Sequence, residues 1–348
     1  MNHKIIINKD KTLLDALRIM DSIEKKLLVI CDNRRFLGVI SIGDIQRAIL
    51  NKQDLSSSVV DFIRPDIIYA RDNDSLDYIK ATMLENRIES MPIVDSNNLL
   101  VNIYEWCDFF GERSSFKTVN CPVVIMAGGM GTRLKPLTNV IPKPLIPVSD
   151  KTIIEEIMSK FQRAGCSDFY LSLNYKSDYV KSFFEKRDYK NVSYINEKKP
   201  LGTGGSLALL KGILNNTFFV SNCDILVDVN FSDLYEYHKK QKNIATLVSV
   251  LKSYSIPYGI IETSENGIIS DMKEKPCLTY QINSGVYIIE PHLLDYLNNE
   301  ETIDLPSLLL RVKSNGEKIG AFPVSEGSWV DMGNWDDYLK LIRSNKMY

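Results

Sequence analysis

Cations, glycines and a hydroxyl group lie close together in one segment of this sequence and could bind a polyphosphate. The segment 121–148 reads CPVVIMAGGMGTRLKPLTNVIPKPLIPV, and its apolar start predicts a buried strand that ends in small residues. Without bulky side chains the backbone N–H groups stay accessible, and N–H groups beside fixed cations bind phosphate. We therefore predict a phosphate cradle made by Ala127, Gly128, Gly129, Gly131 and Thr132, with Arg133 and Lys143 as its cations.

Common phosphate motifs do not account for this segment. A Walker loop requires a glycine, four further residues and then Gly-Lys-Ser/Thr, and a dinucleotide fingerprint requires a third glycine where this chain has Leu134. The alternative interpretation is a glycine-rich turn with scattered basic residues.

Two later carboxylates could hold a metal ion beside the phosphates. Asp224 lies in FFVSNCDILVDV, residues 218–229, which we interpret as one central strand, and Asp331 lies in GSWVDMGNWDDY. Magnesium takes one or two carboxylates together with phosphate and water oxygens, and a carboxylate where a parallel strand opens into a crevice is well placed for it. We predict Mg²⁺ as the cofactor, held by Asp224 and Asp331; the alternative for each is a turn or cap residue.

The elements that position these residues fall into two regions. From Cys121 onward, apolar runs alternate with helix patterns, which is typical of an α/β domain with a mostly parallel sheet covered on both faces. Before it, Thr12 to Met20 aligns with Ser75 to Met83 as an internal repeat. Residues 111–120, GERSSFKTVN, are polar and lack periodicity. We predict domains at 1–116 and 121–348, with the linker at 117–120.

Composition narrows the class of protein. The chain has 348 residues, 44% hydrophobic and 25% charged, with a net charge of −2, so no basic excess favours nucleic acid as a partner. No apolar stretch has the length of a signal peptide or a membrane span. The six cysteines form no C-x-x-C pair. We expect a cytoplasmic protein with reduced thiols, bound neither to nucleic acid nor to a membrane.

GGMGTRLKPLT followed by PKPLIPV resembles the signature of the sugar-1-phosphate nucleotidyltransferases, which make nucleotide sugars. The resemblance implies that residues 121–348 form a Rossmann-like, GT-A-like nucleotidyltransferase domain. It implies that a sugar 1-phosphate attacks the α-phosphorus of a nucleoside triphosphate in line, which requires positioning and charge neutralisation more than a general base. Asp224 and Asp331 match the family's metal pair, although Cys223 stands where relatives commonly have glycine.

The resemblance assigns the base of the nucleotide to YINEKKPLGTGGSLALL, residues 194–210. Its glycines would let a flat group approach the backbone. Glu197 lies where many pyrimidine-using relatives carry Gln; a carboxylate can accept both N–H groups of guanine, whereas thymine and uracil offer one donor between two acceptors. GTP is the predicted donor, with a solvated loop acid as the alternative. The implied nucleotide-binding residues are Glu197, Pro200, Gly202, Thr203 and Asn222.

Three further segments match those that line the sugar-phosphate pocket of the family: SIPYGIIE, DMKEKP and YQINSGVYII. The implied sugar-binding residues are Gly259, Glu274 and Asn283, and Lys275 would bind the phosphate of the incoming sugar. The expected substrate is glucosamine 1-phosphate or mannose 1-phosphate, as in guanylyltransferases of bacterial surface-sugar pathways such as legionaminic acid synthesis. A UTP-, dTTP- or CTP-using enzyme is one alternative. A nucleotide-sensing regulatory protein with an inactive transferase domain is another.

The N-terminal repeat resembles a tandem pair of CBS domains, each β-α-β-β-α, at about 1–57 and 58–116. Such pairs often bind adenine nucleotides. Ser41 and Asp44 fall where the family places a phosphate-side hydroxyl and a ribose-binding carboxylate, whereas the second copy has Glu105 and Asp108 there. A carboxylate at the first of these positions would repel phosphate, so we predict one adenine-nucleotide site at most, at Ser41 and Asp44. The alternative is a packing or dimerisation module, and we expect a homo-oligomer.

Overall fold

The computed structural model describes residues 3–86, 88–110, 118–187, 189 and 191–344. It divides into two compact units, Met1–Ser115 and Phe116–Tyr348. Residues 111–117, which include the start of the predicted linker, lie outside the described residues. Within the described ranges, no helix combines the length and the apolar character needed to cross a membrane.

The first unit contains two copies of one strand and helix order, as the resemblance to CBS domains implies. Each copy forms a three-stranded sheet, in which the first strand is parallel and the third antiparallel to the middle one. Thr12 caps the first helix by accepting from the Asp15 N–H, and Ser75 caps its counterpart by accepting from the Tyr78 N–H. The elements are β1 Ile6–Asn8, α1 Leu13–Ile23, β2 Leu27–Asp32, β3 Arg35–Ser41, α2 Ile42–Leu50, β4 Ala70–Arg71, α3 Leu76–Asn86, β5 Ser90–Val94, β6 Leu100–Glu105 and α4 Cys107–Phe110.

The second unit is built on a seven-stranded sheet in the order β11-β10-β7-β12-β17-β14-β18, parallel except for β17. This confirms the predicted mostly parallel α/β fold. The elements are β7 Val123–Met126, β8 Pro147–Val148, β9 Lys151–Thr152, α5 Ile153–Arg163, β10 Phe169–Leu173, α6 Ser177–Lys186, β11 Val192–Asn196, α7 Gly202–Gly205, β12 Phe218–Asn222, β13 Ile225–Val227, α8 Phe231–Gln241, β14 Ala245–Ser255, β15 Ile260–Thr263, β16 Ile269–Lys273, β17 Cys277–Ile289, α9 Leu305–Ser314, β18 Ile319–Ser325, β19 Trp329–Asp331 and α10 Trp335–Ser344.

Both faces of this sheet are covered by apolar side chains. In β7, Val123 and Ile125 face one hydrophobic cluster while Val124 and Met126 face the other, which is the alternation expected of a buried central strand. Helix α5 packs on the first face, and its N-cap residue, Thr152, forms a capping box with Glu155 that satisfies the first turn. The sheet is therefore a rigid layer whose strand ends can hold a site.

The prediction of one strand over residues 218–229 is wrong. The chain forms β12, turns at Cys223 and Asp224, and continues as β13, which leaves the main sheet and pairs with β19 as a separate antiparallel ribbon. The turn places Asp224 at the carboxyl end of β12, beside the end of β7.

Candidate functional site

The glycine loop after β7 is held by protein contacts at both ends and is open in the middle. A Cβ atom at Gly128 would lie 3.0 Å from Glu197 Oε1, and one at Gly131, where φ is +62°, would lie 2.8 Å from Thr138 Cγ2. A Cβ atom at Gly129 would meet nothing within 4 Å. Among the described residues, no protein acceptor binds the N–H of Gly129 or Met130. The loop therefore offers free donors around Gly129, while its other two glycines make room for neighbouring side chains.

Two aspartates separated widely in sequence are brought together by the ribbon of β13 and β19. Ile225 pairs with Asp331, and the Met332 N–H donates to the Asp224 carbonyl at 2.8 Å. The side chains then face a single point, because a Cβ atom at Gly333 would lie 2.6 Å from Asp331 Oδ1 and 2.8 Å from Asp224 Oδ2. The Gly333 N–H donates to Asp331 Oδ1 at 2.7 Å and fixes that carboxylate.

Two of the predicted cations lie at the same point. Lys143 is only 7% exposed, and its Nζ donates to Asp224 Oδ2 at 2.5 Å. Arg133 is exposed and reaches across the pair, with Nη2 3.6 Å from Asp224 Oδ2 and Nη1 4.0 Å from Asp331 Oδ2. The long, exposed arginine can reorient toward an incoming anion, whereas the buried lysine is fixed.

The donor set fits a magnesium ion. Burial raises the pKa of the Asp331 carboxyl, against the hydrogen bond from Gly333, and the like charge of Asp224 adds to the rise. A cation placed between the carboxylates would relieve that repulsion. Among the described residues no three His, Cys, Asp or Glu side chains cluster as metal ligands. Two carboxylates completed by phosphate and water oxygens are the usual magnesium pattern, so Asp224 and Asp331 would hold the ion.

Glu197 lies beside the glycine loop and is held by three neighbours. Its Oε1 accepts from Ser172 Oγ at 2.8 Å, its Oε2 accepts from the Leu201 N–H at 3.0 Å, and its carbonyl accepts from Asn174 Nδ2 at 2.9 Å. The side chain is half-buried. The interpretation of Glu197 as a solvated loop acid therefore disagrees with its fixed position, which is suited to recognition of a flat ligand edge.

The glycines of the second segment are required by the protein's own backbone. Gly204 and Gly205 are buried, and their N–H groups both donate to the Ile303 carbonyl, at 3.0 and 2.9 Å. A Cβ atom at Gly202 would lie 2.6 Å from that carbonyl oxygen. Thr203 Oγ1 is also used inside the protein, where it accepts from the Leu305 N–H. These small residues make room for the 301–305 backbone, whereas Pro200 remains exposed, and nucleotide binding by Pro200, Gly202 and Thr203 stays a prediction.

Asn222, at the end of β12, and Asn283, on β17, both contact Gly285. A Cβ atom at Gly285, where φ is +88°, would lie 2.6 Å from Asn222 Nδ2. Asn283 Oδ1 accepts from the Gly285 N–H at 3.0 Å, and its Nδ2 donates to the Tyr287 hydroxyl at 2.6 Å. The Asn222 side chain thus packs on the glycine that Asn283 positions.

The remaining predicted sugar residues form a separate, exposed group. A Cβ atom at Gly259 would lie 2.9 Å from Glu274 Oε2, and Lys275 Nζ lies 3.9 Å from Glu274 Oε1. Within the described part of the chain, no hydrogen bond or ion pair joins Lys275 to Asp224, Asp331 or Lys143. The structure therefore brings Arg133, Lys143 and the two aspartates together but leaves Lys275 as an exposed cation of its own group.

In the first unit, both oxygens of the buried Asp44 are occupied by protein donors. Ser41 donates to Oδ2 through its N–H and its hydroxyl, at 2.8 and 2.5 Å, while Arg47 and Arg64 donate to Oδ1. Burial would raise the pKa of Asp44, but the hydrogen bonds from Arg64 and Ser41 outweigh it and hold the pKa low. A ribose hydroxyl could bind Asp44 only by displacing part of this network, and the adenine-nucleotide site stays a prediction.

Three residues of the site escaped the sequence reasoning. Gly333 lies in the Trp-x-Asp-x-Gly segment that identified Asp331, so that motif could have pointed to it. Ser172 is a polar residue in the otherwise apolar run FYLSL. Lys176 gave no signal, yet its Nζ donates to the carbonyls of Thr138, Asn139 and Val140 at 3.5, 2.5 and 3.0 Å and so holds the turn behind the glycine loop.

Comparisons with known proteins give matches to both regions of the chain. The nucleotidyl transferase family model matches residues 122–346, and the CBS domain model matches residues 1–51 and 59–110. Mannose-1-phosphate guanyltransferases of Schizosaccharomyces pombe and Yarrowia lipolytica are 33% and 34% identical over 62% of this chain. The match spans 62% and 61% of those relatives, less than two thirds of their length.

Solved structures also resemble part of this chain. HddC from Yersinia pseudotuberculosis covers 65% of this chain over its own full length, with 27% identity and a TM-score of 0.51. The same protein has been solved in complex with GMP-PN, at 26% identity and the same TM-score.

Proposed function

The chain belongs to the nucleotidyl transferase family, and on that premise we propose that it joins a sugar 1-phosphate to GTP, giving a GDP-sugar and pyrophosphate. The observation that carries the proposal is the convergence of Asp224, Asp331, Lys143 and Arg133. The glycine loop with its open N–H groups adjoins them, because the Cβ position of Gly131 lies 3.1 Å from Lys143 Cβ. Carboxylates, cations and free backbone donors at one point suit a triphosphate.

The reaction needs little from the protein beyond placement and charge. A phosphate oxygen of the sugar 1-phosphate attacks the α-phosphorus, and the bond from that phosphorus to the bridging oxygen breaks, so that pyrophosphate leaves with the electron pair. The attacking phosphate is ionised at neutral pH, and no protein base is required. The N–H groups around Gly129 bind the phosphates, and Arg133 and Lys143 neutralise the departing pyrophosphate. Mg²⁺, held by Asp224 and Asp331, would supply further neutralisation of phosphate charge.

Recognition of guanine is assigned to Glu197. Its carboxylate lies against the glycine loop, 3.0 Å from the Cβ position of Gly128, and each oxygen retains a lone pair after its one protein donor. Two acceptors match the N1 and N2 donors of guanine. The names of the curated relatives support the same base and favour mannose 1-phosphate as the sugar; glucosamine 1-phosphate is the other candidate.

Exposed groups on the second unit are proposed to bind the sugar. Gly259 and Glu274 form one contact pair, and Lys275 supplies a cation that is free to turn toward a phosphate. Asn283 contacts Gly285, the glycine on which Asn222 packs. For the first unit we propose an adenine-nucleotide site at Ser41 and Asp44. Arg47 and Arg64, which donate to the Asp44 carboxylate, would donate to a phosphate of the ligand instead.

The test is a pyrophosphate-release assay of the full chain across GTP, UTP, dTTP and CTP against mannose, glucosamine and glucose 1-phosphates. We expect turnover with GTP to exceed that with the other triphosphates. A preference for UTP, dTTP or CTP would contradict GTP as the nucleotide donor. Absence of turnover with every combination of triphosphate and sugar 1-phosphate would favour a regulatory protein.

Asp224→Asn tests the metal pair directly. The change removes one of the two negative charges and should abolish turnover while leaving the fold, measured by circular dichroism, intact. Asp228→Asn, at an exposed aspartate just after β13, is the matched control. Near-normal turnover in Asp224→Asn would contradict the assignment.

A further inference from the structure

We propose that Ser172 is a specificity-determining positioning residue, which fixes the Glu197 carboxylate so that both of its oxygens act as acceptors for one edge of a base. The inference rests on the proposed recognition of guanine by Glu197. Ser172 is 1% exposed on β10, and its hydroxyl donates to Glu197 Oε1 at 2.8 Å. Its own carbonyl accepts from the Ala127 N–H at 2.9 Å, so Ser172 is fixed relative to the glycine loop.

Both the carboxylate and the backbone of Glu197 are held by hydrogen bonds within the protein. The Leu201 N–H donates to Oε2 at 3.0 Å, and the Glu197 N–H donates to the Leu173 carbonyl at 2.9 Å. Gly128 closes one side, because Oε1 lies 3.0 Å from its Cβ position. With one donor on each oxygen, the carboxylate cannot rotate without losing a hydrogen bond, and its remaining lone pairs form a fixed pair of acceptors.

The Ser172 hydroxyl and the Leu201 N–H, which donate to the carboxylate, differ in the hydrogen bonds that they can make. A backbone N–H can only donate, whereas a serine hydroxyl can donate or accept. With glutamine at position 197, the amide oxygen must therefore face the Leu201 N–H, and the amide nitrogen would donate to Ser172 Oγ. The side chain would then present one acceptor and one donor, which matches uracil or thymine. Ser172 can therefore hydrogen-bond to either glutamate or glutamine at position 197. The Leu201 N–H determines which way the glutamine amide faces.

The experiment compares kcat/KM of the full chain for GTP and UTP in four variants. Ser172→Ala leaves Oε1 without its donor, and since hydrogen bonds to charged groups are strong, we expect kcat/KM for GTP to fall about tenfold or more. The fall should lie in KM for GTP, with KM for the sugar phosphate unchanged. UTP turnover should change less than about threefold, because the carboxylate makes no matched contact with uracil. Ser325→Ala, at a buried serine of β18, is the control and should keep the wild-type ratio.

Two further variants separate the outcomes. Ser172→Thr keeps the hydroxyl and should retain the preference for GTP, while Glu197→Gln should shift it toward UTP. If Glu197→Gln shifts the ranking but Ser172→Ala leaves the GTP to UTP ratio unchanged, the role of Ser172 is overturned and guanine recognition stands. If the Ala and Thr variants lose the ratio equally, the effect is one of packing and the inference fails. If Glu197→Gln leaves the ranking unchanged, the proposed recognition of guanine fails and takes the inference with it.

Discussion

Gly333→Ala should separate activity from stability in this protein. A Cβ atom at Gly333 would lie 2.6 Å from Asp331 Oδ1 and 2.8 Å from both Asp224 Oδ2 and Arg133 Nη2. Gly333 does not have a positive φ, so alanine adds no backbone strain there. All three close atoms are ends of side chains, which can move aside without disturbing the sheet.

The size of the effect follows from these distances. To reach an ordinary contact, each carboxylate must shift by several tenths of an ångström, which lengthens the 2.7 Å hydrogen bond from the Gly333 N–H to Asp331. Complete loss of that bond, whose acceptor is a carboxylate, would cost about 1.5–3 kcal/mol, and lengthening it loses only part of this. A displacement of about 1 Å among reacting groups lowers rates about 100-fold. We expect kcat to fall about 100-fold while the melting temperature changes by only a few degrees.

The assay is pyrophosphate release at increasing Mg²⁺, beside thermal denaturation of the same samples. Gly43→Ala is the control, because a Cβ atom there would meet Arg47 at an ordinary 3.6 Å in the other unit. A Gly333→Ala enzyme with turnover within about threefold of wild type would refute the reasoning that Asp224, Asp331 and Arg133 act at this point.

Further outcomes can be measured with the same preparations. Lys176→Met should raise KM for the triphosphate several-fold because three carbonyls of the 138–140 turn lose their donor, and Lys176→Arg should restore most of the loss; equal values for both would exclude a hydrogen-bonding role. Burial lowers the pKa of His238 below 6.5 despite Glu290 beside it, so the folded state disfavours the proton, and stability should decline as pH falls from about 7 toward 5. His238→Gln should flatten that decline, whereas a change at the exposed His292 should not; unchanged curves would contradict it. Calorimetry with AMP and ATP should show binding to the full chain that Asp44→Asn removes, and the absence of heat would end the proposal of a nucleotide site there.

The sequence was most informative where the residues of one short segment together indicate a chemical function. The loop from Ala127 to Arg133 could be interpreted without tertiary structure, because small residues and cations follow each other directly. Asp331 and Asp224 were identified as candidates separately, but the ribbon that joins them depends on a break in the 218–229 run, which hydrophobicity alone did not reveal. The run is apolar on both sides of the turn, so its pattern is the same for one strand or two.

Other features could not be predicted because their causes lie far away in the chain. Gly204 and Gly205 gave the same signal as a ligand-binding loop, yet the atoms that require glycine there belong to residues 301–304. A glycine indicates only that something comes close, and not what it is. Ser172 likewise acquires its role from Glu197, a partner on a different part of the chain that no local pattern specifies.

The ribbon of β13 and β19 makes residues late in the chain essential to a site whose other groups lie on or beside earlier strands. Strands β7, β10, β11 and β12 could assemble from residues synthesised long before Trp329, but one carboxylate and Gly333 would still be missing. A polypeptide cut ahead of β19 by a protease or a premature stop codon would therefore keep the residues of its glycine loop but lose Asp331, together with the buried core residues Met332, Tyr338 and Leu341.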